Sequence, residues 1–162
     1  MPKATLVSQA PGFGPLDDPQ GVDALCLFIP EDERPLRGAA GWADWRLCGA
    51  LSRLLQGGFF TGKSEDQLLL PSEGRVAFSR IFAVGLGKRT ALDPASLSVA
   101  LQHAASMLSL AKVRSVALEI PGAGQLEEAA RAAAFTAKFL PAYQGEKVLL
   151  MAEKSLAQKI AA

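Results

Sequence analysis

The residues Gly57-Gly58-Phe59-Phe60-Thr61-Gly62-Lys63-Ser64 satisfy the spacing G-x-x-x-x-G-K-[ST]. In a phosphate-binding loop that pattern supplies backbone N–H groups, a lysine and a hydroxyl to a nucleotide. The chemistry needs a strand before the loop and a helix after it, so that the helix N-terminus meets the phosphates. Here the order is reversed. Residues 42–56 carry the pattern of an amphipathic helix, and the loop leads into the short apolar run 67–70. Glu65 and Asp66 would also repel a phosphate. The segment therefore reads as a helix stop at Gly57, a loop and a strand, not as a nucleotide hydrolase.

Other residues invite the same weighing. Gly85-Leu86-Gly87-Lys88 follows an apolar run, at the strand end where open α/β sheets place ligands. It could cradle a small anion with help from Lys88, although glycines are the default residues of such a turn. Gly122-Ala123-Gly124 has a similar position, but Glu127 and Glu128 follow it and would repel a phosphate. His103 has Val99 and Met107 on its own helix face and reads as structural. Glu31, Asp32 and Glu33 read as a solvated loop. Trp42 and Trp45 lie three apart at a helix start, where they serve either as core or as an interface anchor. With one histidine and no C-x-x-C, neither a metal site nor a cofactor is expected.

Strands alternating with helices must position these residues. Strands are expected at 5–7, 24–29, 67–70, 80–84, 113–120 and 147–151. Residues 11–21, rich in Pro, Gly and Asp, read as a loop. Helices are expected at 42–56, with Gly49 inside, at 94–111, with Asp93 as cap and Pro94 at its first position, and at 125–140. Residues 152–162 read as a terminal or linker helix. The pattern implies a single α/β domain over residues 1–162, a mixed, largely parallel sheet flanked by helices on both faces.

At 162 residues, with 49% apolar and 20% charged residues, the chain has the composition of one globular domain. A net charge of +1 gives no electrostatic footprint for nucleic acid or an anionic membrane, so neither is an expected partner. The N-terminus lacks the apolar core of a signal peptide, and no stretch is long enough to span a membrane. Cys26 and Cys48 lie in apolar segments and are expected to be reduced and buried, in a cytoplasmic protein.

The order Val22-Asp23-Ala24-Leu25, a helix containing Gly49, Gly58-Phe59-Phe60-Thr61-Gly62-Lys63, a strand into Gly85-Leu86-Gly87-Lys88 and a long Ala-rich helix resembles the N-terminal domain of the M17 leucyl aminopeptidases. The resemblance runs from about Val22 to Lys154. It implies a macro-domain-like three-layer sandwich, which in the family precedes a larger catalytic domain that binds two metal ions and forms hexamers. The family's N-T-D-A-E-G-R segment, which supplies metal-binding carboxylates, does not occur here, so no catalytic residue carries over. Similarity to macro domains also marks Asp23 as a candidate adenine contact. Gly38-Ala39-Ala40-Gly41 is the nearest match to a diphosphate loop.

The leading expectation is thus a non-catalytic domain acting in assembly or regulation, with itself or a peptidase catalytic chain as partner and Trp42 and Trp45 as candidate interface. The alternative is a module for a nucleotide or ADP-ribose-like ligand, a small anion held near Asp23, Gly38, Gly41, Gly85, Gly87 and Lys88. A third reading makes the chain a fragment of a metal-dependent leucyl aminopeptidase.

Overall fold

The computed structural model describes residues 4–161. Strands β1 (Thr5–Gln9), β2 (Ala24–Pro30), β3 (Gln67–Pro71), β4 (Arg80–Gly87), β5 (Ser115–Leu118) and β6 (Lys147–Met151) form one sheet in the order β1-β6-β5-β2-β4-β3. Every neighbouring pair is parallel except β3 with β4. This is the mixed, largely parallel sheet that the alternating pattern predicts.

Burial on both faces explains the near-continuous apolar runs of the central strands. Side chains alternate between the two faces. Ala24 and Cys26 of β2 and Phe82, Val84 and Leu86 of β4 join a core with α4 (Pro94–Leu110), α5 (Glu128–Ala134) and α6 (Lys154–Ala161). Leu25, Leu27, Ile29, Ile81 and Ala83 point the other way. They pack with α1 (Phe13–Asp17), α2 (Gly38–Arg46) and α3 (Ala50–Gln56). As expected, Asp93 caps α4. Its carboxylate accepts from Ser96 N–H at 2.8 Å, its own N–H donates to Ser96 Oγ at 3.0 Å, and Pro94 opens the helix.

Four expectations need correction. The helix over 42–56 is two helices, because Cys48 and Gly49 adopt left-handed φ values of 56° and 80°. Asp44 replaces the missing continuity by accepting from Leu51 N–H at 2.9 Å and Ser52 N–H at 3.2 Å at the start of α3. Cys48, carried on that break, is exposed rather than buried, and Arg75 Nη1 lies 3.0 Å from its sulfur. The loop over 11–21 contains the short α1, which buries Leu16. The helix over 125–140 begins only at Glu128 and widens into a π turn over Phe135–Phe139, where the rings of Phe135 and Phe139 stack at 5.1 Å.

Candidate functional site

The order of the sheet reverses around β2, with β4 on one side and β5 and β6 on the other. In open α/β sheets that reversal leaves a crevice at the carboxyl ends of the strands. A cleft of about 200 Å³ lies there, lined from the ends of β2 and β4, the start of α2 and the segment after β5.

Its floor is built around Glu119, which follows β5 directly. Glu119 Oε1 accepts from Ala39 N–H at 3.1 Å, one of the donors that the first turn of α2 leaves unpaired. Gly38 adopts φ 60°, a left-handed conformation that favours glycine, and a Cβ there would displace the Glu119 carboxylate from its place. A carboxylate of the chain itself therefore sits where this helix N-terminus would otherwise receive an anion. Burial pushes the Glu119 pKa up; the Ala39 hydrogen bond and the charge of Arg131 oppose this, and Glu33 adds to it. Arg131 is buried and gives its own hydrogen bonds to backbone, to Ile120 O at 2.5 Å and Pro121 O at 3.1 Å. The second oxygen of Glu119 makes no hydrogen bond among the described residues.

The mouth is tied by polar contacts. Arg89 pairs with Glu33 at 3.1 Å. Asp32 accepts from Arg89 N–H at 2.6 Å and from the Thr90 hydroxyl at 3.2 Å, and these bonds hold its pKa below the usual carboxylate value. Gln125 Nε2 donates to Arg89 O at 2.7 Å. Asp32 is exposed, as a solvated loop requires, and Asp32 and Glu33 also tether that loop to the segment after β4. Arg37 lines the cleft and forms no ion pair among the described residues. No three His, Cys, Asp or Glu side chains among the described residues converge as a metal site.

The six residues predicted as one ligand constellation do not meet. Only Gly38 lines the cleft. Asp23 lies before the opposite end of β2, where its carboxylate is bonded to the Ser79 hydroxyl and pairs with Arg80 at 3.4 Å. Gly41 is held by close approach to Leu36 O, 2.6 Å from where a Cβ would stand. Gly85 and Gly87 lie under the nucleotide-like segment, Gly85 N–H donating to Asp66 O at 2.7 Å and Gly87 N–H to Gly62 O at 2.9 Å. A Cβ on Gly85 would collide with Lys63 O. The G-x-x-x-x-G-K-S segment is thus a strap across the ends of β2 and β4, its Thr61 hydroxyl donating to Asp66 at 2.7 Å. Lys88 is exposed and outside the cleft.

Sequence reasoning missed Glu119, Arg37 and Arg89 as cleft residues, and read Gly122-Ala123 as a bare turn although both line the cleft. One signal for Glu119 was readable: a carboxylate between Leu118 and Ile120 in an otherwise apolar strand end.

Trp42 and Trp45 stand apart from the cleft floor, on α2. Trp42 is partly buried, and Trp45 is 73% exposed. Phe13, Leu36 and both tryptophans line one shallow groove. Arg46 covers the Phe13 ring at 4.4 Å and pairs with Asp17 at 2.8 Å, which fixes one border of it. No helix among the described residues is long and apolar enough to cross a membrane.

A three-layer α/β sandwich with a cleft over its central strand ends is a macrodomain-like fold. The macrodomain of Mycobacterium tuberculosis DarG superposes with a TM-score of 0.67 at 14% identity, covering 93% of this chain and 99% of that one. A tomato leucine aminopeptidase mutant superposes with a TM-score of 0.64 at 19% identity, over 99% of this chain and 35% of that one. At such identities the likeness is one of fold. Residues 24–148 match the family described as the cytosol aminopeptidase family, N-terminal domain, and the chain belongs to that family. A probable cytosol aminopeptidase of Geobacter sp. (strain M21) is 35% identical over 111 residues, 68% of this chain and 22% of the relative. The chain spans roughly a quarter of the length of the curated relatives it matches.

Proposed function

We propose that this chain is a non-catalytic docking domain that binds a peptidase catalytic domain of its own family through the face around Trp45. The exposure of Trp45 beside Trp42, Leu36 and Phe13 carries this reading. A large aromatic left in water beside further apolar groups is the usual anchor of a protein interface. The relatives, about three times as long, supply the natural occupant: a catalytic domain on the same polypeptide or on a separate chain. On this reading the protein works in the cytoplasm, in an oligomeric aminopeptidase.

The nucleotide or ADP-ribose reading draws support from the macrodomain-like fold, but Glu119 opposes it. A diphosphate at the N-terminus of α2 would meet a carboxylate already bonded to Ala39 N–H. ADP-ribose at millimolar concentration is therefore expected to leave the melting temperature unchanged.

The docking test mixes the full chain with a separately expressed family catalytic domain and measures the complex by size exclusion and calorimetry. A stoichiometric complex is expected, weakened about thirtyfold by Trp45→Ala, as at an interface hot spot worth roughly 2 kcal/mol. A chain that elutes alone, or a complex indifferent to Trp45, would refute the reading.

A further inference from the structure

The cleft at the ends of β2, β4 and β5 is a second feature, distinct from the Trp45 groove although Arg37 and Gly38 border both. Its volume of about 200 Å³ is below the roughly 300–1,000 Å³ that encloses a drug-sized ligand. It therefore suits a molecule much smaller than a dinucleotide. Its walls include Phe28, Leu86 and Leu92, and it carries charges of both signs. Glu119 presents a carboxylate with one oxygen bonded to Ala39 N–H and the other without a protein donor. Arg37, the residue before Gly38, brings a guanidinium that no carboxylate claims among the described residues. The remaining pair at the mouth, Arg89 with Glu33, neutralises itself.

We infer that this cleft binds a small zwitterion, an α-amino acid with an apolar side chain. Its ammonium donates to the free oxygen of Glu119, its carboxylate meets Arg37, and its side chain lies against Phe28, Leu86 and Leu92. The ammonium supplies the donor that the second oxygen of Glu119 lacks, and a partly buried carboxylate gains more from a cation than a solvated one does. A phosphate would meet the same carboxylate with the wrong sign. An amine without a carboxylate would leave Arg37 unused, and a carboxylate without an amine would leave Glu119 unpaired.

The test is calorimetry and thermal shift on the full chain with L-leucine, beside isoamylamine, isocaproate and inorganic phosphate as single-charge probes. Saturable heat and a raised melting temperature are expected for leucine, with each single-charge probe weaker by about tenfold or more. Glu119→Gln and Arg37→Ala are each expected to weaken leucine by about tenfold or more. Arg37 is exposed, so its variant keeps the test valid should the Glu119 variant misfold. Trp45→Ala is expected to leave leucine binding unchanged, which separates this site from the docking face. No heat with leucine at millimolar concentration, isoamylamine or phosphate binding as tightly as leucine, or leucine binding unaffected by both cleft variants would each overturn the inference.

Discussion

Glu119 is the residue on which the reading of the cleft turns. Its carboxylate is partly buried with Ala39 N–H as its protein donor, and burial raises its pKa above the ordinary glutamate value. A carboxyl group whose pKa is higher in the folded state favours folding fully only below its unfolded pKa. That contribution fades as pH rises through the folded value. The charged form is therefore the less stable one. Glu119→Gln keeps an oxygen for Ala39 N–H and removes the charge. It is expected to raise the melting temperature at pH 7 to 8, with the gap closing towards pH 4. A thermal-melt series across that range checks it, and a variant less stable at neutral pH would show that the ionised group stabilises the fold. Glu119 was hard to read because its one local mark, a carboxylate between Leu118 and Ile120, does not say what it holds. Its importance comes from Ala39, 80 positions earlier, and only the pairing of β2 with β5 brings them together. Glycines, by contrast, advertise themselves, and Gly85 and Gly87 drew attention as a ligand turn. The missing side chain of Gly85 instead admits the backbone of Gly62 and Lys63, and Gly87 N–H donates to Gly62 O, contacts that also lie outside the turn itself.

Among the elements, those fixed by near neighbours along the chain were legible. The cap at Asp93, Pro94 and the apolar spacing of α4 all lie within the helix they define. The division of 42–56 into α2 and α3 was less so, since the apolar spacing continues across it. Gly49 was expected inside one helix, but a glycine inside a helix and a glycine ending one look alike in sequence. The side chain that decides is Asp44, which reaches from α2 over the left-handed turn to the first N–H groups of α3. Asp44→Ala removes an acceptor shared by Leu51 N–H, Ser52 N–H and the Ser52 hydroxyl. The expected loss is about 1 kcal/mol, in the range of about 0.5–2 for an N-cap. It should appear in hydrogen exchange as faster opening of α3 while the amides of β2 and β4 keep their protection. Uniform loss of protection across the sheet would mean that α3 does not open separately.

At the scale of the molecule, the sheet is covered on each face by its own apolar core, and the last element is part of one of them. The sequence suggested a terminal or linker helix over residues 152–162. The folded chain turns α6 back so that Leu156 and Ile160 are buried in the core beneath α4 and α5. Glu128 of α5 binds it from outside, accepting from the Ser155 hydroxyl at 2.9 Å and pairing with Lys159 at 3.4 Å. The exposed ion pair contributes little; the apolar pair sets the stability. Burying a leucine or isoleucine is worth roughly 1.5–3 kcal/mol each, and emptying the Leu156 position leaves a cavity as well. Leu156→Ala is therefore expected to lower unfolding stability by about 2–5 kcal/mol with a clear shift in urea midpoint, whereas Lys159→Ala should move it by under about 1 kcal/mol. Association through Trp45, on the opposite face of the sheet, should survive the leucine change wherever the protein remains folded. If Leu156→Ala unfolds no more easily than wild type, α6 is not held in the core in solution and serves as a tether.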